Sequence, residues 1–328
     1  MGYKTLDGRF IAEIDGKKLL VDAKYKHCES FYDGCAIAVQ IKNEKKRYGL
    51  INAKSEDVFP PIFQNLELLD NGLYKFKINE KFGFVNAEGN IIMSNLYHVI
   101  GKFEDNLACV LINDQRLQNE KLCGYIDTKG HEILPPSYEF VGKRHNKYSV
   151  VMKNNLWGLF GIENHQLTMI PNVAFLGPCM DNRCKINVGG RYDKNDKKTT
   201  GGLWGYVSPD GQIVIEPIYE QVFAFHDGVA AVKQNKKWGF IDINGAMIVP
   251  CEYDKVEHSF YNGQGSVIKD DIVFVFDKNG CLLSSYELEN ENNNYYSGYD
   301  DTPSVYDNPY YNDNLDMDQQ SIEFWNNF

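Results

Sequence analysis

Apolar and polar residues alternate in short runs along most of the chain. Val229-Ala-Ala-Val-Lys233 and Lys237-Trp-Gly-Phe-Ile-Asp242 are two such runs, separated by Asn235-Lys236. A period of two predicts strands, since successive side chains point to opposite faces. Matching two-residue turns stand at Asn79-Glu80, Asn154-Asn155, Gly201-Gly202 and Asp270-Asp271. Asn, Asp and Gly tolerate the positive φ of a tight hairpin. A second turn follows each anchor run: Asn86-Ala-Glu-Gly89, Asp127-Thr-Lys-Gly130, Ser208-Pro-Asp-Gly211 and Asp242-Ile-Asn-Gly245. Its closing Gly suits a left-handed position in a bulged hairpin. A third strand is expected over 246–249, ended by Pro250, and a fourth from Tyr253. The predicted unit is four short antiparallel strands, with helix below about one-tenth of the body.

The pattern recurs. An aromatic-Gly pair stands at Tyr48-Gly49, Phe82-Gly83, Trp157-Gly158, Trp204-Gly205 and Trp238-Gly239, while Cys123-Gly124 keeps only the Gly. The spacings are 34, 41, 34, 47 and 34 residues, the long intervals carrying polar inserts around 114–120 and 189–202. Fourteen residues after the anchor Gly comes a second ring (Phe63, Tyr97, Tyr138, Tyr219, Tyr253), failing only at Asn172. A Pro usually precedes it: Pro61, Pro136, Pro217, Pro250. Val273-Phe274 near the C-terminus and Phe10-Ile11 near the N-terminus occupy the anchor in degenerate form. Periods of this length mark repeat architectures. The copy KKWGFIDINGAMIVPCEYDKVEHSFYNG resembles the unit of the bacterial WG-repeat family, and the resemblance spans about residues 22–283. It implies repetitive β structure and, by analogy, binding; it brings no catalytic residues.

The expected fold is all-β: an array of short four-stranded antiparallel units, propeller-like, or alternatively an open, solenoid-like twisted array. Seven complete units fit between about residues 22 and 286. One extra hairpin at 8–21 would fill an eighth position or pair with a terminal edge. The Gly after each ring is expected to let the next sheet approach, and Trp157, Trp204 and Trp238 are expected in the core rather than on a ligand platform. The domains are then a repeat body over 1–286 and a tail over 287–328.

Charge separates the two. Residues 284–328 hold ten of the 45 acidic side chains and none of the 34 basic ones, so nearly all of the net charge of −11 belongs to the tail and the remaining body is close to neutral. This argues against nucleic-acid binding through the body. No run approaches the ~18 apolar residues of a membrane span. The N-terminus MGYKTLDGRF has no signal pattern, and Leu6 breaks the myristoylation motif. A cytoplasmic chain with reduced thiols is expected.

Motifs of chemistry are sparse. Cys179 and Cys184, a C-x4-C without a second pair or nearby His, read as buried small hydrophobes rather than zinc ligands. No two of the seven His residues stand at metal-ligand spacing, and there is neither a P-loop nor a nucleophile elbow. Gly189-Gly190 and Gly201-Gly202 bracket RYDKNDKKTT, read as a flexible hairpin loop over a phosphate site. The Asp residues of the D-x-x-G turns serve the turns rather than calcium, which takes six to eight oxygens. No catalytic residue, cofactor or metal is expected.

The tail is rich in Asn and Tyr and lacks an apolar pattern between Asn290 and Asn314, so disorder is expected there. It ends in Gln319-Gln-Ser-Ile-Glu-Phe-Trp-Asn-Asn-Phe328. Ile322, Phe324, Trp325 and Phe328 form an apolar cluster expected to bind a partner, with folding back onto the body as the alternative. The acidic leader and terminal Phe distantly resemble the partner-recruiting tails of bacterial single-stranded-DNA-binding proteins. The expected function is non-enzymatic: a binding or scaffold protein presenting repeat loops to a protein partner. The alternatives are a small-ligand or glycan sensor and, third, a hydrolase or lyase using residues from separate units.

Overall fold

The computed structural model describes residues 3–4, 10–14, 17–69, 71–114, 120–193, 196 and 198–288. All of the tail beyond residue 288, with its terminal cluster, therefore lies outside the described residues. Every regular element among those described is a strand. Seven four-stranded antiparallel sheets follow one another along the chain, preceded by a three-stranded sheet between residues 3 and 20. We number the seven as units 1 to 7: residues 27–63, 65–97, 99–138, 140–170, 175–219, 221–253 and 255–287. The chain divides into two compact bodies, Met1–Tyr138 and Glu139–Phe328, with the division between units 3 and 4.

Unit 6 shows how sequence makes a unit. Its strands are Gln221–Val222, Val229–Gln234, Lys237–Asp242 and Met247–Tyr253. Asn235 and Lys236 both take positive φ (53° and 63°), as a two-residue hairpin matching the strand twist requires. The residue after the second ring caps this turn. The Lys236 amide donates to the Glu220 carboxylate, Asn154 to Glu139 and Glu80 to Gln64. The following turn is held by its first residue: Asp242 Oδ1 accepts from the amides of Asn244 (2.9 Å) and Ala246 (2.8 Å), and Gly245 takes φ 84°. Asp127 and Asp277 make the same pair of bonds. These carboxylates are spent on backbone amides, the side-chain closure that makes Asp a turn former.

Two expectations need correction. Pro250 does not end a strand. The fourth strand bulges there and continues to Tyr253, which pairs with Trp238 while Val249 pairs with Phe240. Three residues thus stand opposite Gly239 alone. The same bulge faces Gly49, Gly83, Gly124 and Gly205. The anchor Gly is accordingly required by its own sheet, not by the next one. A Cβ on Gly239 would lie 2.4 Å from the Val249 oxygen and 2.7 Å from the Pro250 carbonyl carbon. The exceptions follow from composition. Unit 4 has Asn172 in place of the second ring and its Pro171 beyond the end of the fourth strand, which pairs straight through Gly158↔Met169. Unit 7 has Phe274 at the Gly position, leaving no room for a bulge, and Val273, Phe274 and Val275 pair straight with Tyr286, Ser285 and Ser284.

The second correction concerns the tryptophans. Trp157 and Trp238 are 2% and 4% exposed, but Trp204 is only half-buried. The cross-strand neighbours explain this. Trp157 lies opposite Met152 and Trp238 opposite Lys233, whose ammonium stands 5.5 Å from the indole centroid. Trp204 lies opposite Asn187, and that side chain is turned away to bond backbone. The second rings Phe63, Tyr97, Tyr138, Tyr219 and Tyr253 are all buried.

Candidate interaction site

Among the described residues no group of His, Cys, Asp and Glu is arranged to hold a metal ion. The feature that breaks the repeat lies in unit 5. Its middle strands, Arg183–Val188 and Leu203–Val207, are interrupted by the 189–202 insert. The insert carries a two-stranded ribbon of its own, Arg191–Asp193 paired with Lys198–Thr200. The insert, an excursion from unit 5, is thus a hairpin, as expected, with its strands paired antiparallel. Its base is fixed by Asn187, which has no exposed surface. Asn187 Nδ2 donates to the Gly201 oxygen (3.1 Å), and its Oδ1 accepts from the Gly190 amide (3.2 Å). The chain crosses so closely here that a Cβ on Gly202, at φ 70°, would sit 2.4 Å from the Gly190 nitrogen.

The excursion is seated on aromatic rings of units 4 and 5. Tyr192 lies 5.3 Å from Trp157, edge-on, and 5.7 Å from Phe175. Phe175 in turn meets Trp157 at 5.5 Å and Trp204 at 5.6 Å, and Phe140 meets Trp157 at 6.2 Å. Trp157 Nε1 donates to the Ala174 oxygen (3.0 Å), so its one polar group is satisfied in the core. Edge and tilted arrangements at these separations are favourable for quadrupolar rings. Arg191 and Lys198 on the excursion are exposed, while Leu156 and Leu203, 51% and 43% exposed, lie on the strand faces opposite to Trp157 and Trp204. The excursion therefore adds basic side chains over the rings.

The sequence singled out Trp157, Trp204 and the bracketing glycines, but not Tyr192 or Asn187. A Tyr within a polar insert and an Asn directly ahead of Gly-Gly were the available signals. Cys179 and Cys184, expected as reduced thiols, are cross-strand neighbours in the first hairpin of unit 5 with Cα atoms 4.1 Å apart, and they form a disulfide. The two-residue turn at Asp181-Asn182 puts them opposite each other. Elsewhere, burial pushes the Cys123 thiol up to about 12 and that of Cys28 to about 11, so neither is a thiolate at neutral pH. Ile322, Phe324, Trp325 and Phe328 are not among the residues the structure places.

A further regularity was not visible in sequence. Asp181 Oδ2 accepts from the Gly228 amide and Asp227 Oδ2 from the Gly263 amide, both at 2.8 Å. Corresponding turns of units 5, 6 and 7 are thus tied in series along one end of the second body, and these carboxylates are engaged in cohesion.

The aromatic-Gly anchor, its bulged partner strand and the Asx-closed turn together define the repeat. The sequence profile of the WG containing repeat matches residues 48–82, 82–115, 124–157, 204–238 and 238–271, more than half of the chain. The chain belongs to the WG-repeat family. No curated protein matches this WG-repeat chain. Among solved structures it is similar to a eukaryotic initiation factor at 10% identity and TM-score 0.38, covering 88% of this chain and 85% of that one. It is also similar to apo AztD from Citrobacter koseri at 13% identity and TM-score 0.34, covering 88% and 86%. A third is the acylaminoacyl peptidase of Pyrococcus horikoshii at 12% identity and TM-score 0.30, covering 77% and 50%. TM-scores of this size do not establish a common fold. Each match of the WG-repeat profile runs from the third strand of one unit into the next, and none starts at Trp157 of unit 4, whose fourth strand lacks the bulge.

Proposed function

We propose that this WG-repeat protein is a non-enzymatic binding or scaffold protein that engages a protein partner through loops of its repeat units, above all the unit 5 excursion. One observation carries the reading: a two-stranded ribbon, anchored by a fully buried Asn, lays Tyr192 on the rings of Trp157 and Phe175 and exposes Arg191 and Lys198. Rigid aromatic groups flanked by exposed aliphatic and basic side chains are what protein interfaces use at their centres. The basic ribbon favours a partner with an acidic rim.

The test is shortening of the excursion by joining Gly190 directly to Gly201, a junction the existing crossing permits. Proteins cross-linked to the intact chain in its own cells should be lost from the shortened chain and from Leu156→Asp, while Leu156→Asp melts like the parent and the shortened chain, without the Tyr192 contacts to Trp157 and Phe175, melts lower but stays folded. An unchanged set of cross-linked proteins in both variants would overturn the reading.

A further inference from the structure

The outer edges of the units differ in one respect that bears on what can join them. A sheet edge presents unpaired amides and carbonyls, and proteins blunt such edges with Pro, bulges or short strands. Units 1, 3, 5 and 6 carry Pro60-Pro61, Pro135-Pro136, Pro217 and Pro250 inside a bulged fourth strand. Unit 2 has the bulge without Pro, and the fourth strand of unit 4 is only four residues long. The last unit has no Pro there, and its one irregularity is a bulge at Leu283. Its fourth strand, Leu282–Glu287, is six residues long, has no Pro, and pairs straight from Ser284 onwards. Every residue in it is exposed, including Leu282 (54%), Leu283 (49%) and Tyr286 (50%). Among the described residues no strand lies on its other side. An exposed edge without Pro, paired straight over Ser284–Glu287 and carrying three large apolar side chains, is a template for strand addition.

We propose that this edge is occupied by the chain's own C-terminal segment, 320–326, which adds as a fifth antiparallel strand. The segment Ser321-Ile-Glu-Phe-Trp325 has the aromatic and β-branched content of a strand. Forty residues follow Leu288, so the span imposes no strain, and a tether of this length gives an effective concentration of about millimolar. A second copy would have to compete from bulk solution. Antiparallel pairing continues the pattern of the sheet and is the more stable arrangement per residue. The register that sets Ile322 beside Tyr286, Phe324 beside Ser284 and Trp325 beside Leu283 places Ser321 opposite Glu287. Sliding it by two would put Glu323 against Glu287. This assignment concerns a surface separate from the unit 5 excursion and does not depend on it.

Cys281, free, exposed and next to Leu282, is a built-in reporter. Just beyond the bulge at Leu283, it lies next to Asn327 in the proposed register. The full-length chain is made with Asn327→Cys or, as a control, Ser304→Cys, and disulfide formation with Cys281 is followed under dilute glutathione disulfide by peptide mapping. Loop closure alone would make the Asn327→Cys thiol, which is more distant along the chain, react about one-third as fast as the control. The proposal expects the reverse, with Asn327→Cys the faster, as an intramolecular bond whose advantage disappears in urea or with Phe324→Asp. The control reacting faster would overturn it. A bond from Cys281 to the Asn327→Cys thiol of another chain would also overturn it, and would assign the edge to a second copy.

Discussion

Replacing Gly239 by Ala tests the structural logic of the repeat most directly. The added Cβ would stand 2.4 Å from the Val249 oxygen, 2.7 Å from the Pro250 carbonyl carbon and 2.8 Å from the Cys251 nitrogen. All three are backbone atoms, so no rotamer change relieves them. Restoring ordinary contact requires moving the bulge by about 1 Å, away from strands that bury Trp238, Phe240 and Val249 in one cluster. Overpacking of this kind costs about 1–3 kcal/mol, against a gain of about 0.4–1 kcal/mol from the stiffer unfolded chain. A net loss of about 2 kcal/mol is expected in urea denaturation followed by tryptophan fluorescence. Gly158→Ala should cost less, because its Cβ would meet the flexible Met169 Sδ at 2.7 Å and only one carbonyl, Thr168, at 2.9 Å. Deleting Pro250 and Cys251 in the Gly239→Ala chain should recover most of the loss, by creating the straight pairing that unit 7 already has opposite Phe274. If Gly239→Ala were no worse than Gly158→Ala, or the deletion gave no recovery, the bulge would not be the reason for the glycine.

Trp157→Ala should cost about 3–5 kcal/mol in the same assay, and Trp204→Ala distinctly less, because one side of Trp204 is already open. Asp242→Ala should lose about 1 kcal/mol by releasing two amides, and Asp242→Asn, which keeps the accepting oxygen, should lose little. Burial, with Lys81 nearby, holds His98 below the usual imidazole range, and its Nδ1 accepts from the Asn113 amide at 3.1 Å. Protonation then favours the unfolded chain. This contribution is complete above the ordinary His value of about 6.5 and is lost as pH falls through the lower folded value. The urea midpoint should drop on acidification below neutrality, and by less in His98→Gln.

The local chemistry of the chain is legible from the sequence because it is local physics. Alternation sets which residues face which side of a sheet, and Asn235-Lys236 or Asp242-Ile-Asn-Gly245 can close only the turns they do close. Strand class, turn positions and seven units follow from such runs of a few residues. Contacts decided by the sum of many registers are another matter. The sequence marks Gly239 as special, but that Pro250 and Cys251 arch over it depends on the bulge that shifts Tyr253 against Trp238. It marks three tryptophans as equivalent, but the cover of Trp204 depends on what Asn187 bonds instead. Tyr192 reads as a polar-loop residue until the excursion lays it on Trp157, and Asp181 reads as a turn residue until the next unit presents the Gly228 amide. Each of these pairs residues some 10 to 50 positions apart, where small shifts in turn and bulge geometry accumulate, and only the folded chain fixes where they end.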